Sequence, residues 1–237
     1  MLEVRGLQVS YGAVRALEAV SLTAAPGGIT AILGANGAGK SSLLRAISGV
    51  APVAGGQILL DGRDITTLPA AARAKLGLAH AMEGRRLFRQ LTVEDNLKLA
   101  WSFGARATPL PAAIAEIYGR FPILEQKART MAGLLSGGQQ QMVILSCTTI
   151  RSPRYLLLDE PSLGLAPIIV QQIYGFITEY AQRSGITVVI AEQMATLALR
   201  VSRHGFVLRR GRLVLEGDSR TLLEGGGESG ALAASYL

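Results

Sequence analysis

One cysteine, Cys147, in 237 residues excludes an internal disulfide and a cysteine-rich zinc site. Cysteine this sparse fits a reducing compartment. Long apolar runs are missing as well. No stretch approaches the ~18 to 20 residues that span a bilayer, and Glu3 and Arg5 interrupt the start where a signal peptide would be apolar. The expectation is a soluble chain that can still dock on something membrane-bound. Charged residues are only 17% of the chain, and no block of Lys and Arg stands out. The formal charge of +7 therefore admits phosphate-rich partners without providing a nucleic-acid arm, and no nucleic-acid partner is expected. No internal repeat recurs, and Gly225-Gly226-Gly227 is the single low-complexity patch.

Apolar residues are plentiful: 49% hydrophobic content suffices for one large domain or two small ones, each with a sizeable core. Leu2 to Val9 and Ala16 to Thr23 read as strands on either side of Tyr11-Gly12, with a turn at Pro26-Gly27-Gly28. Ile29 to Leu33 suits a buried strand, Ser42 to Ser48 a helix stopped by Gly49, and Ile58 to Leu60 a strand entering the turn at Asp61-Gly62. A further strand is expected around Leu76 to Ala81. From Thr92 to about Ile150 apolar positions recur at helical spacing, interrupted by Pro109, Pro111 and Pro122, which predicts a mainly helical insertion. Strands at Tyr155 to Leu158 and Ile186 to Ala191 flank a helix at Ile168 to Ala181, and Phe206 to Leu208 with Leu213 to Leu215 suggest a terminal hairpin. Strands alternating with helices imply an α/β fold with a parallel sheet.

The first chemical motif lies directly after the strand ending at Leu33. Gly34-Ala35-Asn36-Gly37-Ala38-Gly39-Lys40-Ser41 matches G-x-x-x-x-G-K-[ST]. Glycines let backbone N–H groups turn inward and cradle phosphate oxygens at a helix N-terminus. Lys40 neutralises phosphate charge, and Ser41 offers a compact hydroxyl to Mg²⁺, a hard cation that uses few protein ligands. The pattern points to a nucleoside triphosphate. It does not say what is done with it.

Leu156-Leu157-Leu158-Asp159-Glu160 sets two carboxylates at the C-terminal end of a buried strand, where ligands sit in open parallel sheets. Asp159 is placed to hold Mg²⁺ through water and Glu160 to polarise an attacking water. Leu135-Ser136-Gly137-Gly138-Gln139-Gln140-Gln141 precedes an apolar helix start. Ser136 can cap that helix, and Gly137 and Gly138 permit close approach to an anion.

Together the three motifs resemble those of ATP-binding cassette proteins, through nearly the whole chain. The resemblance implies a P-loop NTPase core with a mixed or parallel sheet, an antiparallel β subdomain and a helical subdomain. These form one nucleotide-binding domain over 1–237: core and β subdomain at about 1–86 and 151–237, helical subdomain at about 87–150. It also implies that two cassettes pair head to tail, so that Ser136 and Gly138 act on the partner's ATP. Tyr11 resembles the family's adenine-stacking aromatic. Ala79 to Arg86, Glu160 to Pro167 and Ala191-Glu192-Gln193 are similar to the ATPase subunits of branched-chain amino acid importers, and relatives serve urea and amides. Such subunits energise two membrane permeases at the cytoplasmic face of the inner membrane, fed by a periplasmic solute-binding protein. Ala233 to Leu237 resemble the family's short tail.

The site expected on this basis contains Glu160, Gln193 and Lys40 as catalytic residues. ATP contacts come from Tyr11, Gly34, Asn36, Gly37, Gly39, Lys40, Ser41, Ser42 and Glu83, with Ser136, Gly137, Gly138 and Gln139 from the signature motif. Ser41, Glu83 and Asp159 serve Mg²⁺. Glu83 stands where most cassettes have glutamine, and Met82 where proline precedes it. Gln193 replaces the usual histidine, so it cannot titrate near neutrality. Ala166 replaces an aspartate that crosses the dimer, and Cys147 an arginine. His80 and Cys147 read as packing residues, Arg85-Arg86 as a solvated pair, and Trp101 and Phe103 as core or groove-lining residues. The region around Trp101 and Phe103 would receive a permease's short coupling helix.

A soluble cassette ATPase of translation or DNA maintenance is the main alternative. Against it, the segment from Glu83 to Ser136 is too short for a long coiled coil, and the 237 residues hold one cassette. A kinase or GTPase is disfavoured by the Leu135 to Gln141 motif and by the absence of guanine-reading sequences.

Overall fold

A computed structural model describes residues 1–84 and 86–224. Arg85, the glycine triplet at 225–227 and the tail from Ala233 to Leu237 lie outside the described residues. In chain order the elements are β1 (Leu2–Tyr11), β2 (Val14–Ala24), β3 (Ile29–Leu33), α1 (Lys40–Ser48), β4 (Gly55–Leu60), β5 (Arg63–Asp64), α2 (Ala70–Lys75) and β6 (Leu78–Ala81). Then come α3 (Val93–Ser102), α4 (Leu110–Arg120), α5 (Pro122–Gln126) and α6 (Gly137–Thr149). The chain continues with β7 (Tyr155–Asp159), α7 (Pro167–Ser184), β8 (Thr187–Glu192), α8 (Ala195–Val201), β9 (His204–Arg209), β10 (Arg212–Asp218) and α9 (Ser219–Glu224).

Two sheets organise these elements. One has the order β2-β1-β4-β5 and is antiparallel, and the other has the order β10-β9-β3-β8-β7-β6. In the second sheet every pairing from β9 to β6 is parallel, and β10 joins as an antiparallel edge. The fold is α/β with a mixed sheet. Strands β3, β7 and β8 are buried at every position, which explains their unbroken apolar sequences: both faces of the sheet are covered. Leu156, Leu158, Val188 and Ile190 face a core shared with α3 to α7, while Tyr155, Leu157, Val189 and Ala191 face a core shared with α1 and the antiparallel sheet.

The prolines of the helical stretch open helices instead of breaking them. Pro109 and Phe121 stand at the N-caps of α4 and α5, and Pro111 and Pro122 lie in their first turns, where a missing N–H costs nothing. Helix α6 is buried along most of its length, and its hydroxyls stay satisfied internally: Ser146 Oγ donates to the Met142 carbonyl at 2.7 Å and Thr149 Oγ1 to that of Leu145 at 2.9 Å. Cys147 packs against the same core, so the cysteine in place of the usual arginine leaves this helix packed. Among the described residues, no helix is long and apolar enough to cross a membrane.

Candidate functional site

The phosphate loop links β3 to α1, which begins at Lys40, two residues earlier than the sequence suggests. Gly39 occupies the N-cap at φ 110°, and a Cβ there would lie 2.8 Å from Leu17 and 2.9 Å from the Ala16 carbonyl. Gly34 is equally constrained, because a Cβ would stand 2.4 Å from the Leu208 carbonyl oxygen. These two positions need glycine for room as well as for backbone freedom. The turn between β9 and β10 braces the loop from outside. Gly211 N–H donates to the Ala38 carbonyl at 2.9 Å, and Glu18 N–H donates to the Gly211 carbonyl at 2.8 Å.

Lys40 is only 3% exposed. Its Nζ donates to the Gly34 carbonyl at 2.7 Å and to the Ala35 carbonyl at 3.2 Å, and it pairs with Glu160 Oε1 at 3.1 Å. Glu160 adopts φ 47° immediately after β7, and its N–H donates to the Ala191 carbonyl at 2.9 Å. A left-handed non-glycine residue carries backbone strain of about 1–3 kcal/mol, and such residues cluster at active sites. The sharp turn brings the carboxylate to Lys40, so the residue read as the water-activating base and the phosphate-binding cation touch directly.

Asp159 Oδ1 accepts from Ser41 Oγ at 3.0 Å, while Oδ2 is buried with no partner. Burial pushes this carboxyl up to about 6; the Ser41 hydrogen bond opposes the rise, and the charges of Glu83 and Glu160 add to it. A buried orphan carboxylate oxygen beside a hydroxyl, with two further acids nearby, suits a hard divalent cation. No group of three or more His, Cys, Asp or Glu side chains among the described residues could enclose a metal alone.

A cavity of about 510 Å³ is lined by residues that include Asn36, Gly37, Gly39, Lys40, Ser41 and Ser42 together with Glu83 and Glu160. The structure thus brings most of the anticipated phosphate and metal residues together. It adds Val14, Arg15, Leu163 and Arg210, which sequence reasoning missed. Val14, Arg15 and Arg210 carry no motif, since they arrive from a strand end and a turn through tertiary packing, while Leu163 lies inside the Glu160 to Pro167 segment.

Other anticipated residues stand apart. Tyr11, 42% exposed at the tip of the β1–β2 hairpin, is outside the lining, which takes Val14 and Arg15 from that hairpin instead. Gln193 is exposed just past the end of β8 and is not part of the lining. No residue of 136–139 contributes either. Ser136 caps α6, accepting from Gln139 N–H at 3.4 Å while its own N–H donates to Gln139 Oε1 at 3.1 Å. Gln139 therefore spends its carbonyl oxygen on a capping box. At Gly138 a Cβ would meet Ile169 at 3.0 Å, so that glycine also serves the packing of α6 on α7.

A second concavity, a groove of about 530 Å³, runs over the β6 edge between α2, α3 and α6. Its walls include His80, Met82, Phe88, Phe103 and Cys147. Phe88 and Phe103 are 62% and 72% exposed. Trp101 instead packs on the core, with Nε1 donating to the Thr108 carbonyl at 2.9 Å. Burial, with Arg45 adding to it, pushes His80 down to about 4, and its Nδ1 lies 2.9 Å from Ser48 Oγ. It is a neutral packing residue at physiological pH.

Comparison with known proteins agrees with this geometry. The sequence profile of the family described as ABC transporter matches residues 17–163. The chain is 39% identical to the high-affinity branched-chain amino acid transport ATP-binding protein BraG of Pseudomonas aeruginosa, over 94% of this chain and 95% of that protein. It is 32% identical to the lipopolysaccharide export system ATP-binding protein LptB of Escherichia coli K12, over 94% and 92%. An ATP-binding cassette solved as a dimer in a post-hydrolysis state with ADP and Pi superposes with a TM-score of 0.85 at 23% identity, covering 93% of this chain and 99% of that one. With motif, fold and relatives in agreement, the chain belongs to the ABC transporter family and is one of its ATPases.

Proposed function

We propose that this chain is the ATP-hydrolysing subunit of an importer of branched-chain, hydrophobic amino acids. It works with a second cassette ATPase and two membrane permeases, attached peripherally at the cytoplasmic face of the inner membrane, and a periplasmic solute-binding protein delivers the substrate. The observation that carries the choice of cargo is the likeness to BraG along nearly the full length of both chains. The likeness to LptB, at lower identity, favours a second reading in which the same motor serves an export system.

In this reading the glycine loop and Lys40 hold the β- and γ-phosphates, while Ser41, Asp159 and Glu83 hold Mg²⁺. Glu160 takes the proton of the attacking water, and Gln193 contacts the γ-phosphate. The cavity contains no residue of the chain's own signature motif. Ser136, Gly137 and Gly138 are therefore free to act on ATP held by a partner cassette, with the exposed side chains of Met131 and Leu134 beside them. The groove under Phe88 and Phe103 receives a short permease helix.

The test is to purify the tagged Glu160→Gln chain from detergent-solubilised membranes of its host and identify companions by mass spectrometry, with Phe103→Glu as a second bait. Two permeases and a second cassette ATPase are expected with the first bait. They should be lost with the second, whose own ATPase stays near wild type. Lipopolysaccharide-export components would favour the second reading, and ribosomal or DNA-repair partners without permeases would refute transport.

A pH dependence follows from the two site residues that differ in titration. Gln193 has no proton to lose, so ATPase activity should change shallowly from pH 7.5 to 6. Below about 6 Asp159 takes up a proton, and proton and Mg²⁺ compete for the same oxygens. Activity at limiting Mg²⁺ should then fall and be restored by more Mg²⁺. A steep loss centred near pH 6.5 and insensitive to Mg²⁺ would contradict this.

A further inference from the structure

Glu192 ends β8, is 2% exposed, and has no part in the functional reading so far. Three donors from three segments converge on its carboxylate. Oε1 accepts from the Tyr174 hydroxyl of α7 at 2.9 Å and from Ser162 N–H at 3.1 Å. Oε2 accepts from Gln193 N–H at 3.2 Å. Ser162 lies two residues beyond Glu160, whose own N–H donates to the Ala191 carbonyl. Residues 191–193 therefore hold the loop after β7 at two points and Gln193 at a third.

We propose that Glu192 is a positioning residue for ATP hydrolysis: one buried carboxylate fixes Gln193 and the loop that carries Glu160 as a single unit. The proposal rests on the roles given above to Glu160 and Gln193. A carboxylate suits the site because three donors face it, and a carboxylate can accept through both oxygens. Alanine would leave the Ser162 N–H and the Tyr174 hydroxyl buried without acceptors. Glutamine is more informative. With its carbonyl oxygen kept against Tyr174 and Ser162, its NH₂ faces Gln193 N–H, donor against donor, so this variant preserves two contacts and breaks the one that orients Gln193.

In the purified full-length chain, Glu192→Gln is expected to lower kcat about 10- to 100-fold with KM for ATP within about threefold, the pattern of a contact needed only in the transition state. Gln193→Ala should be similarly slow. The double variant should be no slower than Gln193→Ala alone, because residues acting as a unit are not additive. A purely structural role for Glu192 would instead give multiplicative losses. Should Glu192→Gln fail to fold, Tyr174→Phe, which removes one donor from the same carboxylate, replaces it in the cycle. It should slow kcat about threefold, with no further loss on top of Gln193→Ala.

Multiplicative losses, or wild-type kcat in both Glu192→Gln and Tyr174→Phe, overturn the proposal while leaving the roles of Glu160 and Gln193 standing. Wild-type kcat in Gln193→Ala overturns the proposal together with the role of Gln193.

Discussion

Glu160→Gln is expected to lower the maximal rate of ATP hydrolysis by about a thousandfold, within the span of general-base contributions, while ATP still binds. The structure supports this separation of effects. Glu160 pairs with the phosphate loop through Lys40 Nζ, and the carbonyl oxygen of glutamine can accept from that ammonium in the same place. The loop and the Lys40 contacts to Gly34 and Ala35 should persist, so the variant loses the proton acceptor and keeps the cradle. Phosphate release at saturating MgATP measures the first effect, and equilibrium titration with a fluorescent ATP analogue the second. Unchanged turnover would remove Glu160 from the base role. Weakened binding with unchanged turnover would make it a loop-bracing residue instead.

Lys40→Ala acts on the other half of the pair and should weaken nucleotide binding roughly 10- to 150-fold, the equivalent of a charge-assisted hydrogen bond worth about 1.5–3 kcal/mol. A second cost falls on the protein itself. Glu160, with its side chain 8% exposed, would be left buried without its cation and close to Asp159. Breaking one side of such a pair destabilises by up to about 3–5 kcal/mol. The double change Lys40→Ala with Glu160→Gln should regain much of that stability and none of the binding. Thermal unfolding without nucleotide, set beside nucleotide titration, separates the two costs. A double variant as unstable as Lys40→Ala would show that the pair adds little to the fold.

Those two residues were legible in the sequence because each follows an unmistakable strand, Glu160 directly and Lys40 across the glycine loop. Ile29–Leu33 and Tyr155–Asp159 are buried on both faces, so their composition alone marks them, and the glycine loop and the acidic pair follow directly. The short helices α2 and α8 were not legible. Ala70–Lys75 offers no amphipathic period over its six residues, and Ala195–Val201 starts without a side-chain cap. The strand expected at Leu76 begins instead at Leu78, because Leu76 caps α2 and Gly77, at φ 90°, turns the chain first. In the site, residues that bind through a local motif were found. Val14, Arg15 and Arg210 were not, since they reach the cavity through the pairing of the β1–β2 hairpin and the β9–β10 turn with the phosphate loop. Tyr11, the aromatic singled out by the resemblance, stands exposed at the tip of the same hairpin and is not itself part of the lining.

Cys147 carries a practical consequence. Burial pushes its thiol up to about 12, with Arg151 opposing the rise, and it is the chain's single cysteine. At pH 7 the reactive thiolate is therefore disfavoured. Towards maleimides and similar reagents this thiol should react more slowly than an exposed cysteine whose thiol is not shifted. A single reporter thiol introduced on an exposed position, such as Leu134 or Val50, could be labelled selectively without first replacing Cys147, so distances within an assembled transporter could be followed in an otherwise unaltered sequence.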